Sequence, residues 1–218
     1  MLNKQSKKEE SIKSLKKSFE EITTPRIYEL FAYAEFLKNN EKYKESVKYY
    51  SKALSLINSK SPLYAQALEG RGVAYERTNQ WNKAETDLLN SLNASPNDAY
   101  VINYLAYTWI EKGVNVQESL EMLRKANNLK PNDGYIIDSL GWALFKLRNY
   151  SAAKKYLELA IRLIPSDPVV NDHYADALWM NNQSLQARYY WNYVLKLKKT
   201  ENKLKKKIEE KLILGLKN

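Results

Sequence analysis

The segments PNDAYVINYLAYTWIEKG (96–113), PNDGYIIDSLGWALFKLR (131–148) and PSDPVVNDHYADALWMNN (165–182) are three copies of one pattern. Their first residues, Pro96, Pro131 and Pro165, are 35 and 34 residues apart. A period of this length is typical of repeat proteins, in which each unit is one supersecondary structure that buries its apolar face against its neighbours.

Small residues recur in register within these units and predict close contact between two helices. One position holds Gly72, Ala106, Gly141 and Ala175, a second holds Ala84, Ser119, Ala153 and Ala187, and a third holds Ser91, Ala126 and Ala160. Between the second and third positions lies a leucine, which is Leu88, Leu123 or Leu157. A small residue lets the facing helix approach closely, and the large residues around it fill the seam.

Helix start signals agree with this interpretation. Asp167 before Pro168 places a carboxylate at the N-cap and proline at the first helical position. Asp98 and Asp133 give equivalent signals. Because no long segment alternates apolar and polar residues with a period of two, we expect an all-α protein without strands.

These units resemble tetratricopeptide repeats, whose pattern is W-x2-L-G-x2-Y, then A-x3-F, A and P. The best copy carries Leu140, Gly141, Leu144, Ala153, Leu157, Ala160 and Pro165 in register, although the first Trp of the pattern is absent from every copy. The resemblance covers an array over 27–200, divided into 27–64, 65–98, 99–133, 134–167 and 168–200. It implies a right-handed α-solenoid of about five helical hairpins. The C-terminal half resembles bacterial envelope tetratricopeptide proteins.

Two basic segments flank the array. Residues 1–26 predict a helix with Ile12, Leu15 and Phe19 on one face, either an N-terminal cap or the remnant of an upstream repeat. Residues 201–218 form a Lys-rich segment whose leucine and isoleucine residues share one helical stripe, as expected of the capping helix that a terminal repeat needs.

The sequence offers little material for catalysis. It lacks phosphate-binding, dinucleotide-binding, zinc-protease and serine-hydrolase motifs, and it contains no cysteine. The one histidine, His173, lies near Asp172 and Asp176, which suggests either a metal or acid–base cluster or a polar groove face. One histidine and two carboxylates on a single helix favour the groove face. We therefore expect no enzyme activity, no cofactor and no metal site.

The net charge of +10 lies almost entirely in the two flanks. Residues 1–20 carry +3 and residues 196–218 carry +6, which leaves +1 for the array. Lysine outnumbers arginine, the residue suited to bidentate phosphate contacts, by 28 to 7. This distribution argues against nucleic acid as the partner.

The sequence also predicts where the protein resides. No apolar run is long enough to span a membrane, and the N-terminus lacks the apolar core of a secretory signal. As written, the chain is expected to be cytoplasmic; if it is a fragment that lacks its signal sequence, the expected compartment is the periplasm.

The resemblance also implies a concave groove lined by the first helix of each repeat. The residues that it assigns to the centre of this groove are Tyr100, Asn103, Tyr107, Tyr135, Asp138, Trp142, Asp172 and Asp176. Such a surface combines aromatic rings with carboxylates, and it predicts a protein or peptide ligand with a basic or apolar segment. Tyr107 and Trp142 are equally compatible with the core between repeats.

The resulting hypothesis is a non-enzymatic scaffold or adaptor that binds proteins or peptides. Two alternatives remain: a nucleic-acid-associated protein acting through its Lys-rich tails, and an adaptor fragment for a periplasmic processing protease. The second follows from the resemblance of the C-terminal half.

Overall fold

The computed structural model describes residues 2–216, with side chains for residue 10 and residues 12–216. Within this range the regular structure is entirely helical. The helices are α1 (Leu2–Glu20), α2 (Ile27–Asn39), α3 (Tyr43–Leu54), α4 (Pro62–Arg77), α5 (Trp81–Ala94), α6 (Ala99–Lys112), α7 (Val116–Leu129), α8 (Gly134–Lys146), α9 (Tyr150–Leu163), α10 (Pro168–Met180), α11 (Ser184–Lys196) and α12 (Asn202–Leu214). None of these helices is both long enough and apolar enough to cross a membrane.

Consecutive helices pair into hairpins, which confirms the predicted all-α repeat fold. The chain forms two compact units, Met1–Pro96 and Asn97–Asn218. The first unit contains the hairpins α2–α3 and α4–α5, and the second contains α6–α7, α8–α9 and α10–α11. Within each unit the second helix of one hairpin also packs on the first helix of the next, so the hairpins stack.

Glycine allows the two helices of a hairpin to approach closely at two of the small-residue positions. A Cβ atom on Gly141 would lie 2.7 Å from Cγ of Leu157, and one on Gly72 would lie 3.0 Å from Cγ of Leu88. Both contacts pair the first helix of a hairpin with its second helix, as the recurring small residues predicted. Alanine or serine at the other small-residue positions is likewise fully or almost fully buried.

The predicted helix starts are also confirmed. Each of Asp98, Asp133 and Asp167 has extended backbone, and its side chain accepts hydrogen bonds from the N–H groups of the second and third residues of the helix. These bonds satisfy backbone donors that have no partner inside the helix, and the carboxylate complements the positive end of the helix dipole.

The turn within each hairpin requires left-handed backbone. Glu41, Asn79, Arg148 and Asn182 have φ between 60° and 63° in four of the turns. In the turn of α6–α7, which lies in the repeat with the 35-residue spacing, Gly113 (φ 70°) and Asn115 (φ 48°) are both left-handed. Asparagine and glycine suit this conformation, whereas glutamate and arginine adopt it at a steric cost.

Helices α1 and α12 pack at the ends of the two units. The ring of Phe19 in α1 stacks on Tyr33 with centroids 4.1 Å apart. Leu15, predicted to share that face, is 41% exposed. In the second unit Ile208 of α12 is fully buried in one cluster with Trp191 and Val194 of α11, as expected of a helix that covers the last repeat.

Candidate functional site

The second unit contains an open cavity of about 650 Å³ between α6, α8, α10 and α12. Its walls come from the first helix of each of three successive hairpins and from the C-terminal helix. The lining residues are Tyr107, Glu111, Trp142, Lys146, Asp167, Pro168, Val169, Asp172, His173, Asp176, Lys199, Glu201, Lys203, Leu204, Lys207 and Lys211.

Trp142 anchors the floor of this cavity. Its ring stacks on the imidazole of His173, with centroids 3.9 Å apart and planes 10° apart, and on Phe145 at 4.7 Å. Its Nε1 donates a hydrogen bond of 2.7 Å to Oε1 of Glu111. Trp142 is therefore a buried link between α6, α8 and α10 that also lines the cavity.

His173 is buried and paired with Asp138. Its Nδ1 lies 3.0 Å from both carboxylate oxygens of Asp138, one repeat earlier in the chain. Burial by itself lowers the pKa of His173, but the charge and hydrogen bond of Asp138, with help from Asp172 and Asp176, outweigh it and leave the pKa raised. Below this raised pKa the two side chains form a buried ion pair that joins α8 to α10.

Lys211 of α12 binds both remaining inner carboxylates and compensates one of their two negative charges. Its Nζ lies 2.7 and 2.9 Å from the oxygens of Asp172 and 2.8 Å from each oxygen of Asp176. Asp176 also accepts a hydrogen bond of 3.0 Å from Nε1 of Trp191. Burial and the neighbouring Asp172 raise the pKa of Asp176, against the opposing effect of Lys211. Burial lowers the pKa of Lys211, but the two carboxylates outweigh it and raise that pKa above its usual value, so the ammonium stays charged.

This pairing corrects the premise that the groove carboxylates are available to a ligand. Asp138, Asp172 and Asp176 are between 4% and 7% exposed, and each has a cationic partner inside the chain. Asp138 faces His173 and does not line the cavity. The place where a cation of the ligand would contact the Trp142 ring is also occupied within the chain, because Nζ of Lys146 lies 4.9 Å from the ring centroid.

The predicted tyrosines differ in exposure, and among them Tyr107 lines the cavity. Tyr100 and Tyr135, near the starts of α6 and α8, are 55% and 56% exposed. Tyr107 lies half-buried in the cavity wall, with its ring centroid 6.4 Å from that of His173. Asn103 is half-buried, and its Oδ1 has no hydrogen-bond partner in the described part of the chain.

Sequence reasoning missed the contribution of α12. Lys203, Lys207 and Lys211 are four residues apart, and all three line the cavity. Their spacing is visible in the sequence as one helical face. The sequence does not show which wall that face lines, because the position of α12 depends on its tertiary contacts with α11.

Among the residues whose side chains the structure describes, no group of three or more histidines and carboxylates has the arrangement of a metal site. The Asp172, His173 and Asp176 group that the sequence suggested is divided between two ion pairs, one with Asp138 and one with Lys211.

The stacked hairpins and the groove along their first helices define a helical-repeat protein. A tetratricopeptide repeat family profile matches residues 1–200, so the chain belongs to the tetratricopeptide repeat family. The predicted resemblance is thus confirmed. Members of this family generally serve protein–protein interaction.

One curated relative is similar in sequence, and it is much longer. "TPR repeat-containing protein PA4667" of Pseudomonas aeruginosa is 27% identical over 143 residues, which cover 62% of this chain and 22% of that protein. The chain thus matches about a fifth of the relative's length.

Solved structures share the fold at low sequence identity. A tetratricopeptide repeat protein from Parabacteroides merdae superposes with a TM-score of 0.70 and 19% identity, covering 93% of this chain and 78% of that one. TTC0263 of Thermus thermophilus gives a TM-score of 0.69 and 15% identity, over 87% and 100%. Pseudomonas aeruginosa pilF gives 0.67 and 19%, over 83% and 82%.

Proposed function

We propose that this protein is a non-enzymatic scaffold that binds a protein or peptide segment in the cavity of its second unit. The observation that carries the proposal is the cavity itself: about 650 Å³ of open space along the first helices of three successive hairpins. A surface of this kind recognises a segment by shape and side-chain contacts, and it needs no catalytic group.

The predicted groove residues then take two different roles. Tyr100, Tyr107 and Tyr135 retain exposed ring surface and are proposed to contact the ligand, as amphipathic rings do at interfaces. Asn103 lies between Tyr100 and Tyr107 on α6 and stays a predicted groove residue, although its unpartnered Oδ1 is buried.

The other predicted residues shape the wall. Trp142, Asp138, Asp172 and Asp176 are engaged within the chain and are proposed to hold α6, α8, α10 and α12 in place. The sequence predicted a ligand with a basic or an apolar segment. The pairing of the carboxylates argues against the basic segment, because it would have to displace Lys211 or His173 from them. An apolar segment remains compatible with the cavity. The two alternatives drawn from the sequence, nucleic-acid association and a periplasmic protease adaptor, stay predictions.

A site-specific cross-linking experiment tests the proposal. Val169 lines the cavity and is 43% exposed, whereas Leu163 of α9 is 42% exposed and does not line it. The photo-reactive residue benzoylphenylalanine is placed at either position of the full chain, and the purified protein is irradiated in a lysate of the source cells. We expect a discrete partner to cross-link from position 169 and not from position 163. Equal cross-linking from the two positions would contradict a partner bound in the cavity.

A further inference from the structure

We propose that the cavity of the second unit selects an acidic polypeptide segment, held by a row of lysines that the C-terminal helix and its preceding turn present. This inference rests on the proposed binding function and assigns the charge of the partner. It reverses the charge expected from the sequence, because the structure shows which of the groove charges remain unpaired.

The free cations lie on one wall of the cavity. Lys199 precedes α12, and Lys203 and Lys207 follow one turn apart along it; all three are exposed and line the cavity. None of the three has an ion-pair partner among residues 2–216 as described. The next lysine on this face, Lys211, is pinned by Asp172 and Asp176. Lys146 adds a cation on the opposite wall, where it lies 3.8 Å from Glu111.

The carboxylates of the cavity are already engaged, with one exception. Asp172 and Asp176 bind Lys211, and Glu111 accepts the indole N–H of Trp142. Asp167 caps α10 by accepting the N–H groups of Val169 and Val170 at 2.9 and 3.1 Å. Only Glu201 is exposed without a partner within the described residues. The lining contains five lysines and five carboxylates, so its formal charge is balanced. The three lysines without an ion-pair partner among the described residues are gathered on the wall formed by α12 and its preceding turn.

Charge complementarity favours an acidic ligand in such a setting. Unpaired lysines along a concave surface attract carboxylates and repel a basic segment. They raise the rate of association with an acidic ligand more than they raise its affinity. The wall contributes the half-buried ring of Tyr107, against which an apolar side chain of the same segment can pack.

A polypeptide fits the cavity better than a nucleic acid does. The row consists of lysines, without the arginine that provides bidentate phosphate contacts. The ring of Trp142 stacks on His173 and on Phe145 and the residue is only 8% exposed, so it offers little surface for stacking a base.

The test compares peptides that differ in charge alone. Three fluorescent peptides of equal length carry the same two leucine anchors, with glutamate, serine or lysine at the remaining positions, and a labelled DNA duplex is the fourth probe. Fluorescence anisotropy measures their binding to the full chain and to two triple variants. K199E/K203E/K207E reverses the cavity row, and K198E/K205E/K206E reverses three lysines of the same region that do not line the cavity. Circular dichroism checks that both variants keep the helical content of the parent.

We expect the glutamate peptide to bind best, and K199E/K203E/K207E to weaken its binding about tenfold or more while the control variant binds nearly as well as the parent. Preference for the lysine or serine peptide, or equal weakening by both variants, would overturn the acidic assignment. Tighter binding of DNA, lost with the cavity row, would overturn it in favour of nucleic acid. Failure of the glutamate peptide to bind would also overturn the acidic assignment. The cross-linking experiment at position 169 tests separately whether a partner binds in the cavity at all.

Discussion

The Nδ1 atom of His173 lies 3.0 Å from both carboxylate oxygens of Asp138, and this buried pair joins α10 to α8. The two residues are 35 positions apart, about one repeat period, so the pair crosses the interface between successive hairpins. The ring of Trp142 covers one face of the imidazole. Water has little access to an ion pair enclosed in this way. The protonation state of His173 therefore affects the stability of the interface between the two hairpins.

We predict that the pKa of His173 lies above its usual value of about 6.5 and that Asp138→Asn lowers it. Without the carboxylate, burial is opposed only by the more distant Asp172 and Asp176. Because His173 is the only histidine in the chain, one imidazole resonance in an NMR titration reports it without assignment. Asp133→Asn, which removes the charge of the half-buried N-cap of the same helix, is the matched control and should leave the titration unchanged. A midpoint that does not move in Asp138→Asn would contradict the pairing.

The same shift predicts how stability varies with pH. A histidine whose folded pKa is raised binds its proton more tightly in the folded state than in the unfolded state. Its contribution to the free energy of unfolding is therefore fully present below about pH 6.5 and is lost as the pH rises through the folded pKa. Denaturant unfolding across this range should show the decline in the parent protein and a smaller decline in Asp138→Asn. An equal decline in the two proteins would show that the pair of His173 and Asp138 does not cause the pH dependence.

We predict that Trp142→Ala destabilises the fold by about 3 kcal/mol, as is typical when a buried aromatic side chain is truncated. The change removes the stacking with His173 and Phe145 and leaves Glu111 without its indole donor. Tyr135→Ala, at a 56% exposed position of the same helix, should cost under about 0.5 kcal/mol. Thermal and urea unfolding of the two variants measures the difference. Comparable stabilities would show that Trp142 is a surface anchor for ligand, as the sequence alone allowed.

Two buried serines permit a contrast in hydrogen bonding. The Oγ of Ser46 donates to the backbone oxygen of Ala34 at 3.0 Å, whereas the buried Oγ of Ser119 has no partner among the described residues. We expect Ser119→Ala to raise the free energy of unfolding by about 1 kcal/mol, because it removes an unsatisfied polar group. Ser46→Ala should lower it by about as much. Urea denaturation tests both, and stabilisation by both variants would contradict the assigned bonds.

The repeat fold could be predicted from the sequence because its determinants are local and periodic. The Asp98, Asp133 and Asp167 caps and the small residues that face Leu88 and Leu157 recur at one spacing, and each is visible without knowledge of the tertiary structure. Self-similarity thus defines the helices and the surfaces on which they meet.

The electrostatics of the site could not be predicted in the same way. Asp138, Asp172 and Asp176 lie buried on the first helices of their hairpins. The partner of Asp138 is His173, one repeat away, and that of Asp172 and Asp176 is Lys211, on a helix outside the repeat pattern. A carboxylate that faces a groove and one that is neutralised within it look alike in sequence. The difference arises only when a helix that breaks the period packs against the last repeat.

The ion pairs of Lys211 provide the most direct test of this arrangement. Lys211→Met keeps a long apolar stem but removes the ammonium, so the buried Asp172 and Asp176 face each other without a counter-charge. We expect a loss of about 3 kcal/mol in the free energy of unfolding near neutral pH, since breaking a buried ion pair leaves an uncompensated charge. Lys206→Met, at an exposed position of the same helix outside the cavity, is the control and should cost under about 0.5 kcal/mol.

The pH dependence of the Lys211→Met variant separates this mechanism from a general loss of packing at α12. Burial and Asp172 already raise the pKa of Asp176 against the opposing effect of Lys211, and removing the ammonium should raise it further. A carboxyl group whose pKa is higher in the folded than in the unfolded state stabilises the fold when it is protonated. This contribution is fully present below the pKa of the unfolded state and is lost as the pH rises through the pKa of the folded state. The destabilisation by Lys211→Met should therefore be smaller at about pH 5 than at about pH 8.

Adding Asp172→Asn and Asp176→Asn to the variant should recover part of the loss at the higher pH. A loss that is independent of pH, or one that the two asparagines do not reduce, would mean that Lys211 acts through packing rather than through charge.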